Sequence, residues 1–205
     1  MPVIVIANPK GGVGKSTLAT NVAGCLAAAG HAVMLGDVDR QQSARQWLAL
    51  RPAPLPPIRS WEIAHDEIVR PPKGTTHVVL DTPAGLHGKR LDAVLRIADR
   101  MLIPLQPSLF DIQATHAFVQ TLRAHRRGAE IELGLVGMRV REHTRANEQL
   151  HHYLATLPVP VVAWLRDTQN YVQLAAHGMT LWDVAPSRVD RDLEQWAPLK
   201  AWLDR

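Results

Sequence analysis

Cysteine occurs once in the 205 residues, at position 25, which excludes an internal disulfide framework and a cysteine-only metal or iron–sulfur site within one chain. No apolar run approaches the roughly 20 residues that span a bilayer. No basic n-region or small-residue cleavage site stands ahead of Met1-Pro2-Val3-Ile4, so the sequence reads as that of a cytoplasmic protein. Tyrosine is confined to positions 153 and 171, and lysine to positions 10, 15, 73, 89 and 200, two of them in one glycine-rich stretch. The remaining basic character is arginine. With 23 Lys+Arg against 19 Asp+Glu, the net charge of +4 admits nucleic acid without requiring it. The 46% of hydrophobic and 20% of charged residues exclude a disordered chain, and the length suits one compact domain with little room for a second.

What is present is an alternation of two periods. Val3-Ile4-Val5-Ile6-Ala7 is a β-branched apolar run ending at Asn8-Pro9, and it reads as a buried parallel strand. From Lys15 the apolar positions Leu18, Ala19, Val22, Ala23 and Leu26 repeat at helical spacing, with Gly30 where a helix terminates. Strands are expected at 32–35, 78–80, 101–105, 131–137 and 159–163. Helices are expected at 43–50, 91–98, 112–125, 146–157, 168–177 and 193–203. Such an order implies a single α/β domain over residues 1–205, a doubly wound, mostly parallel sheet with helices on both faces. The proline-rich stretch 51–57 reads as a stiff connector.

Lys10-Gly11-Gly12-Val13-Gly14-Lys15-Ser16-Thr17 lies between the first strand and the first helix, where backbone amides and a helix N-terminus can surround a polyphosphate. Glycines let the main chain approach the oxygens, Lys15 can reach the outer phosphates, Ser16 can place its hydroxyl on Mg2+, and Thr17 faces the α-phosphate. A glycine turn used only for packing is the competing reading. Asp37 and Asp39 follow the second strand at its C-terminal end, where α/β proteins bind ligands. One carboxylate can orient water near a γ-phosphate while the other supports the metal shell or the loop, although Asp39 could also simply cap the helix at Ser43. His77-Val-Val-Leu80-Asp81-Thr82-Pro83-Ala84-Gly85 delivers a further carboxylate from an apolar strand, as a magnesium-supporting Walker B aspartate requires. In Pro104-Leu105-Gln106-Pro107-Ser108, with Asp111 following, Ser108 or Asp111 reads as a helix cap.

The early Lys10, with Pro9 where the general phosphate-loop pattern has glycine, resembles the deviant Walker A box of the ParA/MinD superfamily. The run from Asp37 to Ser43 resembles that family's switch I with Arg40 in place of proline, and residues 81–85 resemble its switch II. The resemblance implies an ATPase using ATP and Mg2+. It implies that Lys10 reaches across an ATP-dependent homodimer to the partner's nucleotide, that Asp39 positions or activates the attacking water, and that Asp37 supports the metal and the switch. It also implies a timer: the ATP dimer binds nonspecific DNA, and a centromere-binding or cargo adaptor triggers hydrolysis and release on the nucleoid. The strand so close to the N-terminus resembles the short ParA type, without a helix-turn-helix domain. The family's adenine-reading asparagine has no counterpart in the comparable run Gly137-Met138-Arg139-Val140-Arg141.

An arginine supply follows the nucleotide motifs at 123, 126, 127, 139, 141 and 145, and Arg139, Arg141 and Arg145 are the favoured DNA contacts. A membrane-bound relative would need a basic amphipathic tail. Residues 190–205 instead carry four acids and three bases, and Pro198 is expected to interrupt them, so Leu193, Trp196, Leu199 and Leu203 read as core or dimer packing. One cysteine argues against a nitrogenase-reductase-like protein, and two tyrosines against a tyrosine kinase with a tyrosine-rich tail. A dethiobiotin-synthetase-like ligase and a nucleotide-gated scaffold stay open, as do a chemoreceptor cluster or a protein microcompartment as cargo. His143, His151 and His152 are spaced poorly for zinc and read as surface residues.

Overall fold

The computed structural model describes residues 1–61, 71–141 and 144–205, leaving the side chain of Ala146 aside; His143 lies outside the described residues. β1 (Val3–Ile6), β2 (Val33–Asp37), β3 (Ile58–Trp61), β4 (His77–Asp81), β5 (Arg100–Leu105), β6 (Glu132–Val140) and β7 (Val161–Arg166) form one sheet in the order β3-β2-β4-β1-β5-β6-β7. Every pairing is parallel. All loops that leave the strands' C-terminal ends therefore share one rim, and the chain reverses direction across the sheet at β1.

The helices are α1 (Lys15–Ala28), α2 (Ser43–Ala49), α3 (Gly88–Ile97), α4 (Leu109–Ala124), α5 (Arg145–Leu154), α6 (Gln169–Ala175) and α7 (Asp190–Leu203). Two separate apolar layers show which side each covers. Leu18, Val22, Leu26, Trp47, Tyr171, Trp196, Leu199 and Trp202 pack on one face. Leu91, Leu95, Phe118, Leu122, Leu150 and Leu154 pack on the other. The central strands β1, β2, β4 and β5 are buried on both sides, which is why they read as unbroken apolar runs rather than alternating ones.

Residues 51–57 form a connector without helix or strand, as expected, but it leads into an edge strand that the sequence pattern does not show: β3 pairs with β2, with Ile58 and Trp61 buried and Arg59 and Ser60 exposed between them. Four residues with only their ends buried are too short to show a period. One expectation is corrected: Pro198 does not interrupt the C-terminal helix, because α7 runs through it. Trp196, Leu199, Trp202 and Leu203 are buried along one stripe, and that anchorage holds the helix together across the lost backbone hydrogen bond. Cys25 is buried on α1 and burial pushes its thiol pKa up to about 12, which makes it packing rather than chemistry.

Candidate functional site

Register places the three carboxylate and phosphate motifs side by side. On the shared rim Asp81 of β4 pairs with Ile6 of β1 on one side and with Asp37 of β2 on the other. The loop leaving β1 adopts the left-handed conformation at Gly12 (φ 76°) and at Gly14 (φ 96°), where Gly14 opens α1. The backbone angle demands glycine at Gly14, where a Cβ would come within 2.9 Å of Met138 Cε, the movable tip of that side chain. Among the described residues, the backbone N–H groups of Gly11 through Thr17 donate to no protein acceptor, whereas Leu18 N–H returns to Gly14 O at 2.9 Å. A run of unpartnered amides at a helix N-terminus is the backbone arrangement that binds phosphate oxygens.

Lys15 is only 8% exposed, and its Nζ donates to Lys10 O at 2.7 Å across this loop. Burial lowers its pKa, opposed by the nearby Asp81 and Asp39. Asp81 is 1% exposed, and its Oδ1 has no hydrogen-bond partner. Burial pushes its pKa up to about 7 against a hydrogen bond from the Ser16 hydroxyl, while the Asp37 charge adds to the rise and Lys15 opposes it. An orphaned buried carboxylate oxygen beside a serine hydroxyl is an oxygen donor set that fits a magnesium ion and its waters.

The two switch carboxylates differ in what they hold. Asp37 Oδ1 accepts from Asp39 N (2.9 Å), and Oδ2 from Ala44 N (2.8 Å) and Arg45 N (3.3 Å). Asp37, rather than Asp39, therefore ties down the first turn of α2, and burial raises its pKa despite these bonds. Asp39 is half-buried and accepts Gln41 N–H at 3.0 Å in a local turn. Gln42 follows in the left-handed region (φ 50°), a strained setting for a side-chain-bearing residue at the rim of a site.

Several supporting residues carry no motif. Asn8 is fully buried; its Oδ1 accepts Lys10 N–H (2.9 Å), while Nδ2 donates to Pro104 O (2.8 Å) and Thr115 Oγ1 (3.0 Å). Gln106 Nε2 donates to Gly12 O at 2.8 Å. Gly85 N–H donates to Pro9 O at 2.8 Å, which fastens the loop after β4 to the phosphate loop. The one signal in the sequence was an asparagine closing an otherwise apolar run.

Residues 4–181 match the CobQ/CobB/MinD/ParA nucleotide binding domain family. The chain belongs to the ParA/MinD family. It is 37% identical over 116 residues to the maintenance of carboxysome distribution protein A of Gloeobacter kilaueensis, covering 54% of this chain and 51% of that one, so this match spans about half the relative's length. It is 30% identical over 169 residues to the chromosome-partitioning ATPase Soj of Thermus thermophilus, covering 67% and 68%. The fold is shared with the septum site-determining protein MinD of Pyrococcus horikoshii complexed with Mg-ADP, at a TM-score of 0.78 and 15% identity over 100% of this chain and 96% of that one.

Within this ParA/MinD domain, the arginines split. Arg141 is engaged by Asp167 at 2.7 Å, Arg123 donates to Pro158 O at 2.7 Å, and Arg127 pairs with Glu130. Arg139 and Arg145 are exposed and make no such bond among the described residues. Arg139 lies in the left-handed region (φ 51°) at an irregularity of β6 between Gly137 and Val140, next to the Met138 that packs on Gly14. Ser108 and Asp111 stand at the first turn of α4, Ser108 at the N-cap position without a side-chain capping bond. No helix among the described residues is long and apolar enough to cross a membrane.

Proposed function

We propose that this chain, as a single domain over residues 1–205, is a Mg2+-dependent ATPase whose ATP-bound homodimer binds nonspecific DNA and positions a cargo through an adaptor. The observation that carries the reading is the run of unpartnered amides from Gly11 to Thr17 closing on Lys15, with Ser16 and the orphaned Asp81 oxygen alongside. The amides of Gly11, Gly12, Val13 and Gly14 surround the β-phosphate, Lys15 exchanges the Lys10 carbonyl for outer phosphate oxygens, and Thr17 faces the α-phosphate. Ser16 and Asp81 would hold Mg2+, with Asp37 behind them, and the ion when bound supplies charge neutralisation between the outer phosphates. Asp39 uses its remaining oxygen to orient the attacking water. Lys10 reaches the partner's nucleotide, and Arg139, Arg141 and Arg145 meet DNA phosphates, with Arg141 first giving up Asp167. The complex works in the cytoplasm on the nucleoid.

Plasmid or chromosomal DNA bound by a centromere-binding protein is the first cargo. The likeness to a carboxysome distribution protein favours a protein microcompartment as the second. Size-exclusion light scattering with ADP and with a nonhydrolysable ATP analogue, with mixed-sequence duplex DNA at two salt concentrations, tests the scheme. The expected result is an ATP-specific dimer whose DNA binding weakens with salt. Lys15→Ala should lose nucleotide, Lys10→Ala should keep nucleotide but stay monomeric, and Asp39→Ala should trap the dimer. A constitutive monomer indifferent to DNA would sink the reading and favour a metabolic phosphate-loop enzyme.

A further inference from the structure

The end of β5 and the residue after it hold the phosphate loop by two separate bonds. Asn8 Nδ2 donates to Pro104 O at 2.8 Å, at the base of the loop, and Gln106 Nε2 donates to Gly12 O at 2.8 Å, at its tip. The second bond fixes more than a distance. In a planar trans peptide the C=O and the following N–H point in opposite directions, so holding the Gly12 carbonyl toward Gln106 turns the Val13 N–H to the other side of the chain. That N–H is one of the amides without a protein acceptor. Gly12, at φ 76° and with nothing within 4 Å of where a Cβ would stand, offers little resistance of its own to rotation of this peptide.

We propose that Gln106 is a positioning residue for nucleotide binding: by tethering the Gly12 carbonyl it keeps the Gly12–Val13 peptide in the one orientation that presents the Val13 amide to a polyphosphate. The inference rests on the nucleotide-binding reading of the loop. Gln106 is half-exposed and reaches in from the loop that follows β5, so its removal leaves the phosphate loop's sequence and the core intact. Without the tether the peptide samples both orientations, and part of the binding energy goes into selecting the productive one.

The test is calorimetric binding of Mg-ADP to the parent and to Gln106→Leu, which matches the side chain's bulk without its donor, together with thermal unfolding of both proteins and the 15N–1H signal of Val13. The Leu variant should bind Mg-ADP roughly tenfold more weakly, as loss of one oriented amide contact implies. Its unfolding midpoint should stay within about 2 °C of the parent, and the downfield move of the Val13 amide on adding ADP should shrink. Gln106→Glu, which points a carboxylate at the carbonyl, should bind more weakly still. Equal Mg-ADP affinity of parent and Leu variant, or an unchanged Val13 response, overturns the proposal while leaving the nucleotide site standing. A parent that binds no Mg-ADP overturns both.

Discussion

Replacing Asp81 by asparagine should stabilise the nucleotide-free protein and, on the proposed reading of the site, remove any response to magnesium. Asp81 is 1% exposed, its Oδ1 has no partner, and its pKa is pushed from 3.8 up to about 7. Because the folded carboxyl holds its proton more tightly than the unfolded one, the folded chain binds the extra proton between about pH 4 and 7. Stability contributed at this position is therefore fully present below pH 4 and is lost as the pH rises toward 7. At about 1.4 kcal/mol per pH unit, the gap corresponds to about 4 kcal/mol against the ionised form. Asn keeps the shape and removes the charge but leaves a polar amide to satisfy, so a net gain of about 1–3 kcal/mol at pH 8 is expected. For a chain of this size that is roughly 2–10 °C in the unfolding midpoint. Urea and thermal unfolding of both proteins at pH 5 and pH 8, without nucleotide, check it. The difference should be large at pH 8 and small at pH 5, and Mg2+ with nucleotide should stabilise only the parent. An Asn variant that is no more stable than the parent at pH 8, or a gain that does not change with pH, would refute the reasoning.

Three other perturbations reach different parts of the molecule. Arg51 and Asp183 are paired at 2.9 Å with side chains 6% and 1% exposed, and the guanidinium also donates to Pro56 O and Gly178 O. Arg51→Ala should cost about 3–5 kcal/mol in denaturant unfolding, since Asp183 would keep its bonds from Thr180 but stay buried without a countercharge. Gly14→Ala should abolish nucleotide binding in calorimetry, and Met138→Ala should not restore it, because the side chain is relieved but the φ of 96° is not. His77 has its pKa lowered, first by burial and then by His31, the N-terminal amine and Arg100. The unfolded chain then binds more protons below about pH 6.5, stability falls as pH drops through that range, and His77→Gln should flatten the fall measured in urea midpoints from pH 7.5 to 5.5.

The candidate motifs were legible because each is a local requirement. Phosphate binding needs glycines, a lysine and a helix start within eight consecutive positions, and a strand end needs one carboxylate. The sheet's C-terminal rim then brings Gly14, Asp37 and Asp81 together, as the alternation of strands and helices implied. The edge strand β3 was not legible, since four residues buried only at the ends carry no period. The capping of α2 was not legible either: spacing of two places Asp37 and Asp39 on one side of an extended chain, and the helix start beside Asp39 suggested that residue as the cap, whereas it is Asp37 that accepts the amides of Ala44 and Arg45.

What the sequence could not express is support that runs between segments far apart in the chain. Asn8 and Thr115, Gln106 and Gly12, and Arg51 and Asp183 meet across separations of 107, 94 and 132 residues. Each joins a polar group to a partner that has no reason to be recognised beforehand, and in all three a main-chain carbonyl is engaged, which has no residue identity at all. The same holds for Gly24, where a Cβ would lie 2.4 Å from Thr180 Oγ1: a mid-helix glycine reads as a weak point in α1, yet it is the gap into which the C-terminal segment docks. The phosphate loop is thus recognisable from eight letters, but its geometry is maintained by Asn8 just after β1, Thr115 of α4, the Pro104 carbonyl of β5 and Gln106 just beyond it. Substitutions at those positions should alter nucleotide binding without touching any recognised motif, which is the reason to test Gln106 and Asn8 before adding further variants inside the loop.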